Sequence, residues 1–189
     1  MLVTNLIIGL GNPGREYRNT RHNIGFLMID ALAQEFNTSF SRVQFNALIT
    51  SIKTDGSNLF LAKPQTFMNR SDRSVVALVK FYKLDLHQIM IVNDDIDLPL
   101  GTIRIRGSGG SGGQKGVNSI IEGLGTRQFP RLRMGIGRPS GRISAASYVL
   151  KDFKGDEIPQ VNEMVDRAVE AVILFTKNGI EAAMTKYNG

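Results

Sequence analysis

Val3-Thr-Asn-Leu-Ile-Ile-Gly9, continued by Leu10-Gly-Asn-Pro-Gly14 and then by Ile24-Gly-Phe-Leu-Met-Ile-Asp-Ala-Leu-Ala-Gln-Glu-Phe36, is the stretch on which the fold turns. Residues 3 to 9 are a short apolar run that reads as a buried strand. In the last segment Ile24, Leu27, Met28, Ala31, Leu32 and Phe36 recur at helical spacing and share one face. The chain thus opens as strand, glycine turn, helix.

Outward from this unit, residues 45 to 53 and 59 to 63 read as strands flanking Asp55-Gly56, a hairpin turn, and Ser71 is placed to cap a helix reaching Tyr82. Further strands are expected at 88 to 93, 101 to 106 and 131 to 137. Val161, Met164, Val165, Ala168, Val169 and Val172 mark one apolar helix face, and a short helix follows Asn178. Strands alternating with helices, with one hairpin, predict an α/β fold: a single domain over residues 1 to 189, in three layers, with a central mixed sheet flanked by helices.

The chain has no cysteine, which excludes thiolate nucleophiles, disulfides and cysteine-based zinc sites. Two histidines, His22 and His87, leave a metal cage to be built mainly of carboxylates. No apolar run is long enough for a membrane span, and residues 1 to 10 lack the pattern of a signal peptide, so a cytoplasmic location is expected. The net charge of +6 is regional: residues 101 to 154 carry ten Lys/Arg against two acids, and the remainder thirteen against fifteen. A polyanion-binding face accounts for this better than evenly spread solubilising charge.

Two motifs tempt and fail. Gly9-x-Gly11-x-x-Gly14 matches the dinucleotide-binding loop, but the acid expected about twenty residues on would be Asp30 or Glu35. Both lie inside the predicted helix, so neither ends a second strand. Gly109-Gly-Ser111-Gly-Gly113 matches a nucleophile elbow, yet both histidines precede Ser111, the reverse of the hydrolase order. A flexible loop with six glycines within residues 107 to 116 is the better reading.

Asp94, Asp95 and Asp97 follow a predicted strand, where α/β sheets place functional groups. A carboxylate triplet can bind magnesium, but a simpler role is one carboxylate holding a histidine, which fixes the tautomer that leaves the other ring nitrogen free to accept a proton. His22 is then the candidate base and Asp94 its orienter. The plain alternative for His22 is a helix-start residue packed against its neighbours. His87 reads as a surface residue. Arg104 and Arg106 alternate with Ile103 and Ile105, and Arg131 and Arg133 with Leu132 and Met134. Strand periodicity puts each pair on one face, either as solvated charge or as phosphate ligands, and two pairs within the basic region favour phosphate.

These residues together resemble the bacterial-type peptidyl-tRNA hydrolases. The resemblance runs nearly end to end, through residues 9 to 14, Tyr17, Thr20-Arg-His-Asn23, Lys63-Pro-Gln-Thr-Phe-Met-Asn69, Asp94-Asp-Ile-Asp-Leu-Pro99, residues 131 to 139 and Tyr148-Val-Leu150. It implies cleavage of the ester joining a peptide to the terminal ribose of tRNA, with no metal and no cofactor, by a cytoplasmic monomer whose partner is peptidyl-tRNA. It further implies that His22 activates water and Asp94 orients it, while Asn12 and Asn69 position water, peptide carbonyl and developing oxyanion. Tyr17, Phe67 and Met68 would line the substrate site with Asn69. Arg106 and Arg133, with Arg104 beside them, would hold tRNA phosphate.

One departure stands out: Gly112-Gly-Gln-Lys-Gly116 replaces the family's usual His-Asn by Gln114-Lys115. Lys115 cannot accept a hydrogen bond and is expected to contact substrate, as a phosphate ligand of the acceptor end. Asp72 stands where glycine is usual, a helix-start detail. The alternative reading is a non-catalytic RNA-binding relative of the family.

Overall fold

The computed structural model describes residues 3–54 and 57–188. The first strand, β1 (Val3–Gly9), lies at its centre, parallel to β4 (Ser57–Pro64) on one side and to β5 (Ile89–Asp95) on the other. Beyond β4 come β3 (Ala47–Thr54) and β2 (Arg42–Gln44), each antiparallel to its neighbour. Beyond β5 come β7 (Arg131–Gly135), parallel, and β6 (Ile103–Arg106), antiparallel. The result is a seven-stranded mixed sheet in the order β2-β3-β4-β1-β5-β7-β6.

Alternation along β1 explains why both faces are covered. Ile7 turns to the layer of α1 (Ile24–Glu35) and α5 (Ile158–Tyr187), whereas Leu6 and Ile8 turn to the layer of α2 (Asp72–Phe81) and α3 (Lys115–Leu124). A central parallel strand buried on both faces must be apolar throughout, and residues 6 to 8 are fully buried.

The helix α1 starts almost in contact with the sheet. A Cβ on Gly25 would stand 2.6 Å from Leu10 N, Leu10 O and Val92 O, and one on Gly9 would stand 2.2 Å from Gly25 O. Leu10 N donates to Val92 O at 2.9 Å, which ties the same turn to β5. The opening glycines therefore serve backbone packing.

The structure departs from the sequence expectations in specific places. The Asp55-Gly56 turn lies outside the described residues. Ser71 precedes α2 as expected, but its hydroxyl donates to Met68 O at 2.8 Å and does not cap the helix. The break expected near Asn178 is present, in contrast, as a kink of α5 at Gly179 (φ 82°). The short strand β2 has no counterpart among the expected elements because its turn into β3 uses Phe45 and Asn46 at positive φ (49° and 55°), and phenylalanine carries no turn signature. The helix α3 is masked by its glycines and polar residues, although Val117, Ile120, Ile121 and Leu124 have helical spacing. A further short helix, α4 (Ala145–Val149), is likewise additional to the expected set.

Because only backbone surrounds a Cβ at Gly25, nothing there can give way cheaply. Gly25→Ala is expected to lower stability by about 1–3 kcal/mol, read as a reduced denaturation midpoint; an unchanged midpoint would show that the helix start is not held as close as described.

Candidate active site

The carboxyl ends of β1, β4 and β5 converge where α1, following β1, and α2, following β4, leave for opposite faces of the sheet, the usual place for a ligand crevice. After β1 the chain delivers Asn12 and then a buried helical turn, Arg21–Asn23, directly before α1. Arg21 clamps that turn. Its guanidinium donates to both Glu157 carboxylate oxygens (3.0 and 2.7 Å) and to Asp152 O (2.7 Å), and lies over the rings of Tyr148 and Phe153.

The clamp holds His22 against the end of β5. His22 Nδ1 lies 2.8 Å from Asp94 Oδ2, and both residues are buried. A carboxylate accepts, so Nδ1 carries the proton and Nε2 is the ring nitrogen left for the cavity. The geometry is that of an oriented general base.

Asn12 is positioned as firmly. Its backbone N–H donates to Asn23 Oδ1 (2.8 Å), Asn23 Nδ2 donates back to Asn12 O (3.0 Å), and Asn12 Oδ1 accepts from Met68 N–H (2.8 Å). With its oxygen turned to Met68 N–H, the Asn12 amide has its NH₂ group available as a donor, which suits a carbonyl oxygen or an oxyanion. Asn69 sits in the turn Met68–Arg70 after β4, exposed, and lines the same cavity.

This cavity measures about 600 Å³. Asn12, His22, Asn69 and Asp94 contribute to its polar wall, with Asp95, Gln114 and Lys115, and Phe67, Met68, Ile96, Val149 and Leu150 contribute an apolar one. Phe67 stands at the rim, 58% exposed, whereas Met68 is buried. Lys115, exposed at the start of α3, lines both this cavity and a neighbouring polar pocket with Asn69 and Asn118. Tyr17 is half-buried in the turn Arg15–Tyr17 and is not among the residues lining the cavity.

Gln114, which sequence reasoning marks only as a departure, reaches the same carboxylate. Its Nε2 donates to Asp94 Oδ1 at 3.0 Å, and its Oε1 accepts from Val117 N–H at 2.7 Å as the cap of α3. The one signal available is its place just before the apolar spacing of α3. Asn23, which holds Asn12, likewise stands in the sequence only as part of a block.

The two arginine pairs do come together. Antiparallel register sets Arg104 beside Arg133 and Arg106 beside Arg131, so all four side chains share one sheet face, with Ile103, Ile105, Leu132 and Met134 turned to the core beneath α1 and α5. Arg106, Arg131 and Arg133 line a pocket of about 220 Å³ against residues 108–112 of the glycine loop. Arg104 is half-buried and is not among that pocket's lining residues. Arg131 is buried, and desolvation, reinforced by Arg133, pulls its pKa below the ordinary arginine value against the opposing pull of Asp95. A pocket that crowds cations in this way is set up for an anion.

The glycine loop is tied to its surroundings at two points: Arg131 donates to Gly110 O (2.6 Å) and Gly109 N–H to Arg127 O (3.1 Å). Ser111 lies along this loop beside the arginines and is not part of the His22 cavity. The three carboxylates after β5 have separate partners: Asp94 holds His22, Asp95 accepts from Arg133 Nε (2.5 Å) and Asp97 pairs with Arg138. Among the described residues no group of three or more His, Cys, Asp or Glu side chains is arranged to hold a metal ion. Asp30 pairs with Lys63 on the flank of α1, away from any nucleotide role, and His87 is exposed. No helix among the described residues is long and apolar enough to cross a membrane.

Fold and site define the class: an α/β protein with a buried histidine–carboxylate pair and two asparagines at the carboxyl edge of its sheet, next to an arginine-lined pocket. The chain belongs to the peptidyl-tRNA hydrolase family, whose model it matches over residues 6–189. It is 48% identical to a peptidyl-tRNA hydrolase of Desulfitobacterium hafniense, over 97% of this chain and 98% of the relative. It is 49% identical to one of Desulforamulus reducens, over 97% and 88%. Among solved structures, the peptidyl-tRNA hydrolase of Acinetobacter baumannii superposes with a TM-score of 0.92 at 34% identity, covering 100% of this chain and 96% of the other.

Proposed function

We propose that the protein hydrolyses the ester between peptide and tRNA in peptidyl-tRNA, releasing both, with His22 as general base. The observation that carries this reading is the buried His22–Asp94 hydrogen bond at the edge of a cavity that Asn12 and Asn69 also line. Water bound at His22 Nε2 gives up a proton as its oxygen attacks the ester carbonyl carbon. The N–H donors of Asn12 and Asn69 receive the oxygen on which negative charge develops. Collapse expels the ribose oxygen, which takes the proton back from the imidazolium. An ester has a tolerable leaving group, so an oriented base and fixed donors suffice without a covalent intermediate.

The apolar wall provided by Phe67, Met68, Val149 and Leu150 would take up the peptide, and the arginine pocket the phosphates of the tRNA. Lys115, which lines the cavity and the polar pocket beside Asn69, would contact the acceptor end. On this reading Tyr17 supports the substrate side from the turn before His22 without lining the cavity. Arg104 adds charge beside Arg133 without entering the pocket. The protein would work as a single-domain cytoplasmic monomer, with every named residue supplied by one chain.

Incubation with an N-blocked aminoacyl-tRNA tests this directly. The wild type should release free tRNA, and His22→Ala should lose about 10²–10⁴ in turnover while still binding tRNA; near-normal hydrolysis by that variant would overturn the assignment. Tight tRNA binding without any ester loss in the wild type would favour the non-catalytic RNA-binding alternative. Arg106→Ala and Arg133→Ala should weaken tRNA binding and flatten its salt dependence by about one phosphate contact each, sparing a minimal ester substrate. Equal losses on both substrates would contradict the phosphate role.

A further inference from the structure

The structure assigns Gln114 the part of a positioning residue for the His22–Asp94 pair, an inference that rests on the hydrolytic reading above and deepens it. Asp94 is 4% exposed, and each of its carboxylate oxygens has a side-chain donor: Oδ2 faces His22 Nδ1 at 2.8 Å and Oδ1 faces Gln114 Nε2 at 3.0 Å. A carboxylate bound through one oxygen alone can swing about its Cβ–Cγ bond, a broad torsion with little intrinsic preference. The second hydrogen bond removes that freedom. It fixes the plane in which Oδ2 meets the imidazole, and thereby the direction of Nε2.

The orientation of the Gln114 amide is itself determined. Its Oε1 accepts from Val117 N–H at 2.7 Å, a group that can only donate, so the NH₂ end must face Asp94. The same Nε2 lies 3.2 Å from Met68 Sδ, and the Met68 backbone N–H holds Asn12 Oδ1. Val117 and Ile120 anchor α3 in the core, fully buried. Base, carboxylate and oxyanion donor are thus referred to one helix start through one uncharged amide. An amide does this without titrating, so the donor itself is unchanged by pH.

Four forms of the full-length protein, assayed on N-blocked aminoacyl-tRNA, separate this role from helix capping. Gln114→Ser retains a capping oxygen for α3 but is too short to reach Asp94. It should lower kcat about 10- to 10²-fold, with KM within about twofold of wild type and an unchanged melting temperature. Gln114→Glu keeps the shape and the cap but turns an acceptor toward Asp94, and should lose more than Gln114→Ser. Gln114→His, which again offers a donor, should recover most of the loss. The low-field proton resonance of His22 Nδ1–H should persist in the wild type and Gln114→His and broaden or shift in Gln114→Ser.

Wild-type kcat in a folded Gln114→Ser, or equal losses in all three variants that track melting temperature, would overturn the positioning role. His22→Ala run alongside keeps the two ideas apart. If it is inactive while Gln114→Ser is normal, only the positioning role fails. If it is active, the hydrolytic reading itself fails.

Discussion

The close approach of α1 to the ends of β1 and β5 is the constraint from which the site follows. With no side chain at Gly25, the first turn of the helix rests on the backbone of Leu10 and Val92. The three residues before it, Arg21 to Asn23, are thereby forced down onto the sheet edge, where a buried imidazole meets a buried carboxylate and a buried amide meets the Asn12 backbone. Arg21 secures the arrangement from the other side through Glu157 and the Asp152 carbonyl. A histidine placed one helical turn further from the sheet could not reach Asp94.

Much of this is legible in the sequence because it depends on short-range pattern. The apolar run of β1, the helical spacing of α1 and the position of Asp94 at a strand end all follow from periodicity, and together they put His22 and Asp94 at one edge. Alternation also puts Arg104 with Arg106 and Arg131 with Arg133 on single faces. That the two pairs face each other requires the antiparallel register of β6 on β7, which no local pattern specifies. Gln114 is opaque for a similar reason. Its hydrogen bond to Asp94 spans two elements, and the helix it caps is written in glycine, asparagine and serine, residues with weak helix propensity.

The glycine loop changes meaning between sequence and fold. As composition it is a flexible segment; in the fold it is a strap that joins the two halves of the site. One end is held by Arg131 within the arginine-lined pocket, and the other ends in Gln114 against the Asp94 carboxylate. Glycine is needed here because the backbone turns through positive φ at Gly109, Gly112 and Gly113. The arginines are thereby placed beside the cavity rather than inside it, which matches a substrate with its reacting ester at one end and its phosphates at the other.

The claim on which all of this rests is that Asp94 keeps the His22 proton on Nδ1 so that Nε2 can act as base. Replacing the carboxylate by an amide of the same shape isolates that claim, because the introduced amide can turn a donor toward Nδ1 and move the ring proton to Nε2. Single-turnover cleavage of an N-blocked aminoacyl-tRNA by Asp94→Asn should be slower than wild type by about 10²–10⁴, with the fold and tRNA affinity retained. A rate within about twofold of wild type would contradict the account.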